Sequence, residues 1–170
     1  MGKIFYTEKS LYTSESFIKK ILAEFYGIEN AVVLRTKNGK PYVENGPYFS
    51  VSHTANKLFV VFSAQNVGLD AELLSRKVNY KLIVKKFPLF EQEEISCDKD
   101  FLYHWVAMES AVKYLGGTIS HDLKDLAFKE RKLFYKSVEM PVKIQFITWE
   151  NYLLAVCSNT ELENLTPISL

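Results

Sequence analysis

Val67-Gly68-Leu69-Asp70-Ala71-Glu72 is the stretch on which the reading of this chain turns. Taken as a β-strand, it alternates by twos. Val67, Leu69 and Ala71 point to one face, and Gly68, Asp70 and Glu72 to the other. Two carboxylates then share one side of one strand, roughly 7 Å apart at their Cα positions. Gly68 clears space beside them. The pair has a bland explanation, an edge strand with a solvated acidic face, since charged residues are mostly exposed. It also has a chemical one: hard divalent cations such as Mg2+ take oxygen ligands, often one or two carboxylates plus phosphate oxygens of a substrate. The neighbours of the strand decide between them.

At 170 residues the chain accommodates one domain or two small fused halves with a sizeable core. Its 48% hydrophobic and 14% aromatic content excludes a disordered protein. The formal net charge of +1 offers no global basic field. Neither nucleic acid nor a membrane is therefore expected as a partner, and an anionic ligand would need a local basic cluster. Cys97 and Cys157 stand far apart, with no metal-ligand spacing, and fit thiols of a cytoplasmic protein. Met1 to Ser10 lacks the apolar stretch of a secretory leader, and no apolar run approaches membrane-spanning length. The expectation is a soluble cytoplasmic protein.

Upstream of the acidic strand, residues 3–7 read as a short strand. Thr13 and Ser14 offer helix N-caps. Phe17, Ile18, Ile21, Leu22 and Phe25 follow at helical spacing, with Gly27 as the stop. Lys19, Lys20 and Glu24 fall on the solvated face. Ala31 to Thr36 reads as a strand, and Lys37-Asn38-Gly39-Lys40-Pro41 as a turn that holds Lys40 extended before Pro41. Such a lysine is placed to meet an anionic or aromatic ligand. The strand from Tyr48 runs into Ser52-His53-Thr54, whose serine and histidine can donate to phosphate oxygens. A Ser/His nucleophile pair is disfavoured, because adjacent strand residues point opposite ways and no nucleophile elbow is present. Leu58 to Ser63 reads as a strand buried on both faces, expected to form an antiparallel hairpin with Val67–Glu72.

Downstream, the polar connection Leu73–Asn79 suggests a boundary between halves 1–75 and 76–170. Tyr80 to Phe87 and Phe90 to Ile95 read as short helices, the acidic run of the second forming a solvated face. Phe101, Trp105, Met108, Val112 and Leu115 make the apolar stripe of the strongest helix, ended by Gly116-Gly117. Glu109 and Lys113 lie four residues apart at the edge of that stripe. They are either an exposed ion pair or a carboxylate and an ammonium facing a cleft. His104 and His121 read as surface or satisfied core histidines. Four strands follow (126–129, 132–137, 142–149 and 152–158), and the tail from Asn159 is expected to fray. Each half is α+β.

Four stretches then stand in one order: Gly39-Lys40-Pro41; Phe49-Ser50-Val51-Ser52-His53-Thr54; Gly68-Leu69-Asp70-Ala71-Glu72; and Trp105 through Gly116 with Glu109 and Lys113. Order and spacing resemble the 4′-phosphopantetheinyl transferases of the surfactin-synthetase-activating type, over about residues 15 to 160. The resemblance implies a pseudo-dimer of two similar α+β halves with the active site in the cleft between them. It implies a Mg2+-dependent transfer of 4′-phosphopantetheine from coenzyme A to a serine of an acyl carrier protein, or of a peptidyl or polyketide carrier domain. By position, Asp70, Glu72 and Glu109 would bind the metal. Lys40 and Pro41 would contact the adenine end of coenzyme A, Ser52 and His53 its phosphates, and Lys113 the pyrophosphate. Glu109 and Lys113 would be the catalytic pair, with Glu109 as general base. Two halves in one chain imply a monomer.

The chain departs from the family pattern at Met108, where lysine is usual, at Ser50, where asparagine is usual, and at Thr54 in place of serine. No arginine matches the family's 3′-phosphate contact, and Lys19 or Lys20 are the substitutes considered. Met108 and the short N-terminal portion motivate an alternative, a non-catalytic module of the same fold that binds coenzyme A or a carrier protein. A third reading, a Mg2+-dependent phosphohydrolase, has no motif behind it.

Overall fold

A computed structural model describes residues 2–170, apart from the side chains of Leu89 and Phe90. In chain order the strands and helices are β1 (Gly2–Glu8), α1 (Ser14–Tyr26), β2 (Leu34–Arg35), β3 (Pro41–Tyr42), β4 (Tyr48–Thr54), β5 (Lys57–Ser63) and β6 (Val67–Leu73). Then come α2 (Tyr80–Val84), α3 (Leu89–Gln92), α4 (Asp98–Leu115), α5 (Ile119–Asp122), β7 (Leu126–Lys129), β8 (Lys132–Tyr135), β9 (Val138–Glu139), β10 (Lys143–Trp149), β11 (Tyr152–Ser158) and β12 (Ile168–Ser169). The fold is α+β. Among the described residues, no helix is long and apolar enough to cross a membrane.

Two sheets form the middle, in strand orders β12-β1-β5-β4 and β10-β11-β6. Strand alternation sorts their side chains into layers. Ile4, Phe59 and Val61 of the first sheet meet Val67, Leu69, Ala71 and Leu154 of the second. On the outer face of the first sheet, Phe5, Val60 and Phe62 pack against Phe17, Ile21 and Leu22 of α1. On the outer face of the second, Leu153 and Ala155 pack against Leu102 and Val106 of α4, and Cys157 against Met108 and Ala111. The order through the molecule is helix, sheet, sheet, helix. Each fully buried large side chain in these layers contributes about 1.5–3 kcal/mol of transfer free energy.

The helix ends follow local chemistry. Thr13 caps α1 by accepting from the Ser16 N–H, and Gly27 closes it in the left-handed region at φ 65°. Gly116 closes α4 in the same way, at φ 69°.

Three expectations are corrected. First, β5 and β6 are not a hairpin. β5 is hydrogen-bonded to β1 on one side and β4 on the other, so both its edges are occupied, and β6 pairs with β11 instead. β6, counted with the first half by a boundary at residue 75, is thus hydrogen-bonded into a sheet of the second. Second, the acidic run 91–94 is not wholly solvated: Glu91 is fully buried. Its Oε1 lies 2.8 Å from His104 Nδ1, the satisfied-core role expected of that histidine. Third, the tail does not fray. Leu162 and Leu165 enter the inter-sheet core, Gln145 clamps the Leu162 backbone through both its N–H and its carbonyl, and β12 adds in parallel to β1.

Gly68 explains how α4 reaches β6. A Cβ on Gly68 would fall inside the van der Waals shell of the Ser110 carbonyl and within 2.5 Å of the Tyr114 nitrogen, both rigid helix backbone. Gly68→Ala should therefore force α4 off the strand. The expected loss is on the order of 3 kcal/mol or more in chemical denaturation; a loss below about 0.5 kcal/mol would mean that the helix and strand do not pack this closely.

Candidate functional site

The site begins where two sheet edges meet without main-chain pairing. β4 presents alternate residues Ser50, Ser52 and Thr54 to β6. The Ser50 hydroxyl accepts from the Leu69 N–H at 2.9 Å, and the Ser52 hydroxyl from the Ala71 N–H at 3.1 Å. The same hydroxyl donates to Asp70 Oδ1 at 2.9 Å, and Thr54 donates to Glu72 Oε2 at 3.0 Å. Side-chain hydroxyls thus satisfy the open edge of β6 and hold its carboxylates at once.

Those carboxylates are not a solvated face. Asp70 is 3% exposed and Glu72 8%. Lys113, reaching down from α4, donates to Asp70 Oδ1 at 2.7 Å. Arg76 pairs with Glu72. Glu109, one helical turn before Lys113, faces Asp70. Its pKa is pushed up to about 7, first by burial, then by the Asp70 charge, with Lys113 and Arg76 opposing. Asp70 Oδ2 is buried with no hydrogen-bond partner among the described residues. An unpartnered buried carboxylate oxygen is costly, and the group facing it is another carboxyl. A proton held on Glu109, or a cation between the two, resolves the conflict.

Among the described residues, no three His, Cys, Asp or Glu side chains converge closely enough to hold a metal ion as they stand. Of the three carboxylates expected to do so, Asp70 and Glu109 are brought together, while Glu72 is engaged by Arg76 and Thr54. Two carboxylates with one orphaned oxygen fit a hard cation that completes its shell with phosphate oxygens and water.

In front of this cluster runs a cleft made of three adjoining hollows. One of about 210 Å³ holds Gly39, Pro41, Val51 and Lys113. The next, about 220 Å³, shares Pro41 and Val51 with it and adds Ser14, Arg35 and His53. The third, about 350 Å³, shares His53 and adds Lys9, Glu72 and Arg76. His53, exposed on β4 opposite its buried serines, lies 2.7 Å from the Ser14 hydroxyl. Its pKa is pushed down, first by desolvation and then by the charges of Lys9 and Lys113. A larger cavity of about 610 Å³ lies beyond Lys40 and is lined by none of the carboxylates, Lys113 or His53.

Several expected residues take other places. Ser52 is 2% exposed, its hydroxyl spent on Asp70 and Ala71, so it supports the carboxylate instead of lining the cleft. Lys40 directs its ammonium inward to Asn66 Oδ1 at 2.8 Å, Val67 O at 3.2 Å and Tyr114 O at 3.4 Å. Burial lowers its pKa to about 8. It ties the turn to α4 and β6, and Asn38 does the same from Nδ2 to Gly116 O at 2.8 Å. Pro41 is left facing the cleft. Met108 is fully buried against Cys157 and Leu126, so the residue in place of the family's lysine removes no cation from the cleft. Lys19 and Lys20 are paired along α1 with Glu15 and Glu24 and line no part of the cleft. The cations that do line it, Lys9, Arg35 and Arg76, were missed. Lys9 follows directly on β1 and Arg35 ends β2, while Arg76 lies three residues past β6; only Arg35 and Arg76 stand near a recognised motif.

The site is that of an α+β protein whose cleft sets cations against a buried carboxylate pair. A protein named 4′-phosphopantetheinyl transferase gsp, from Aneurinibacillus migulanus, is 29% identical to this chain over 110 residues, covering 60% of this chain and 46% of that protein. The match therefore spans about half the length of that relative. No family model matches the chain. The relative bears out the resemblance to the 4′-phosphopantetheinyl transferase superfamily read from the four motifs.

Two outcomes follow from the charges. In metal-free protein, Glu109 holds its proton well above the usual carboxylate range. The stability this confers is complete below about pH 4.5 and is lost as pH rises through about 7. Thermal melts in EDTA should show wild type falling across that window by up to about 3 kcal/mol, and Glu109→Gln falling less. Parallel curves for the two would exclude a proton on Glu109. Separately, adenosine 3′,5′-bisphosphate should raise the His53 pKa in an NMR titration; an unmoved His53 would mean that no anion binds beside it.

Proposed function

We propose that this protein transfers the 4′-phosphopantetheine group of coenzyme A to a serine hydroxyl of an acyl or peptidyl carrier protein, releasing adenosine 3′,5′-bisphosphate. The observation that carries the reading is the Asp70–Lys113–Glu109 cluster opening on a cationic cleft, in a chain similar to a protein named as such a transferase.

The reaction moves a phosphoryl centre between two oxygens. The carrier serine Oγ attacks the phosphorus bearing pantetheine and loses its proton, and the anhydride bond to the adenylate side breaks. The leaving bisphosphate takes the electron pair. Lys113 offsets charge on the pyrophosphate as it is displaced. Glu109 accepts the serine proton directly or through water. His53, Arg35 and Lys9 hold the phosphates of the adenosine end along the cleft, and Pro41 with Val51 forms its apolar floor. Arg35 is thus the cation for which the family pattern had no match in this sequence. Ser52 and Thr54 keep Asp70 and Glu72 in register. Asp70 and Glu109 would hold Mg2+, joined by Glu72 when it exchanges Arg76. Bound there, the ion would polarise the pyrophosphate and neutralise its charge.

The test is intact-mass spectrometry of purified apo acyl carrier protein after incubation with this protein, coenzyme A and Mg2+. A gain of about 340 Da, one phosphopantetheine, is expected, and should vanish with EDTA. Asp70→Ala should abolish the gain while circular dichroism stays native. Transfer by Asp70→Ala at the wild-type rate would remove Asp70 from the site. Failure on fatty-acid, polyketide and peptide carriers alike, with coenzyme A still binding, would favour the non-catalytic binding module.

A further inference from the structure

Among the described residues, the three carboxyl groups of the cluster are unequally occupied. Asp70 leaves Oδ2 without a hydrogen-bond partner, and Glu109 has Lys113 at 4.0 Å. Glu72 has both oxygens taken: Thr54 donates to Oε2 at 3.0 Å, and Arg76 pairs with Oε1. The two partners of Glu72 differ in what holds them. Thr54 is buried on β4, inside the contact between the sheets, and has no room to withdraw. Arg76 lies past the end of β6, with its side chain 42% exposed. Its backbone N–H is fixed on the Leu73 carbonyl at 2.9 Å, so the guanidinium can turn while the chain stays in place. The stretch from Leu73 to Phe90 has five cations and no acidic residue, and among the described residues Arg76 is the one of the five that is ion-paired.

Turned away from Glu72, the guanidinium stays at the active site. Arg76 lines the hollow that also holds Lys9 and His53, two of the cations set along the cleft. A guanidinium pairs with carboxylate and phosphate oxygens through the same planar fork, so a phosphate in that hollow offers it an acceptor of the kind it would give up. It cannot leave unreplaced, because a buried carboxylate stripped of its cation is strongly unfavourable. A hard divalent cation, which takes carboxylate oxygens, is the replacement that fits Glu72 Oε1.

We infer that Arg76 is a two-position switch: it closes Glu72 Oε1 in the metal-free protein, and it turns into the hollow beside Lys9 and His53 to take a phosphate oxygen once a divalent cation holds Glu72. This rests on the transferase reading, from which the carboxylate metal set and the phosphate cleft are taken. The consequence is coupling. Without ligand, Arg76 competes with the metal for Glu72; without metal, Arg76 is withheld from the ligand. Metal and phosphorylated ligand therefore promote each other's binding, by the same factor whichever binds first.

The experiment measures both affinities on metal-stripped protein, with Mn2+ followed by the EPR signal of the free ion and adenosine 3′,5′-bisphosphate followed by calorimetry. Melting temperature is the fold check. Arg76→Gln should bind Mn2+ alone about fivefold or more tighter than wild type, and bind the bisphosphate in saturating Mn2+ about fivefold or more weaker. In EDTA its bisphosphate Kd should stay within about twofold of wild type. Glu72→Gln releases the guanidinium without metal, so in EDTA it should bind the bisphosphate tighter than wild type, and adding Arg76→Gln should cancel that gain. Weaker bisphosphate binding by Arg76→Gln with and without Mn2+ alike would make Arg76 a fixed rim cation; unmoved constants throughout would make the pair purely structural. Either result overturns the switch. Wild type supplies a test that needs no variant: the Arg76 Nε–H resonance should shift when Mg2+ is added and shift further with the bisphosphate, and a resonance unmoved by both overturns the switch. Mg2+-dependent modification of a carrier by a protein whose Arg76 does not switch would leave the transferase standing without this inference. Coupled constants in a protein that modifies no carrier would keep the switch and remove the transferase. Wild type that binds neither metal nor bisphosphate would overturn both.

Discussion

The structure depends on a side-chain seam between two sheets. β6 is an edge strand whose outward N–H groups would be orphaned in the middle of the protein. Ser50 and Ser52 supply the acceptors, at 2.9 and 3.1 Å. A buried N–H without a partner costs roughly 1–3 kcal/mol, so the two serines hold β4 beside β6. Its geometry differs from a ladder in one useful way. Serine hydroxyls carry a second hydrogen-bonding function, and Ser52 uses it on Asp70. The device that joins the sheets therefore also fixes the carboxylate. Ser50, which departs from the family pattern, joins the sheets through its hydroxyl.

Burying Asp70 and Glu72 this deeply, with Glu109 partly buried beside them, is unfavourable unless each finds a compensating partner. The compensation is uneven. Asp70 Oδ1 has both Lys113 and Ser52, and Glu72 has Arg76 and Thr54. Asp70 Oδ2 has no hydrogen-bond partner among the described residues, and Glu109 has Lys113 at 4.0 Å. Residual conflict is thus concentrated between Asp70 and Glu109, on a helix and a strand that Gly68 lets pack in direct backbone contact. Rigid backbone with unbalanced charge is what a preorganised cation or proton site requires.

Much of this could be read in advance, and the failures have physical causes. Alternation in Val67–Glu72 gave the right faces because a one-residue slip would have put Asp70 into the inter-sheet core. The doubly buried β5 was legible from its unbroken apolar run. Its partners were not, since proximity in sequence favoured β6 while the ladder bonds went to β1 and β4. Ser52 reads as a phosphate contact because a strand-end hydroxyl can donate to an anion; nothing local marks a serine that accepts from another sheet's edge. Met108 belonged to the apolar stripe that was recognised, so its burial was already implicit there. Glu91 was lost in a run of acids, and its partner His104 lies on another helix. The tail was misjudged from its polarity, although Leu162 and Leu165 were two apolar residues spaced to reach a core.

Net charge was the least informative quantity. A value of +1 argues against long-range attraction to a polyanion, yet it is the residue of strongly separated charges. Lys9, Arg35 and His53 face one cleft, while Glu91, Glu93, Glu94, Asp98 and Asp100 follow directly after the stretch that has five cations and no acid. At physiological salt, opposite charges more than about 8 Å apart scarcely cancel, so each patch acts on what touches it and the sum acts on nothing. Charge sorted over distances comparable to the screening length lets neighbouring patches act independently of one another.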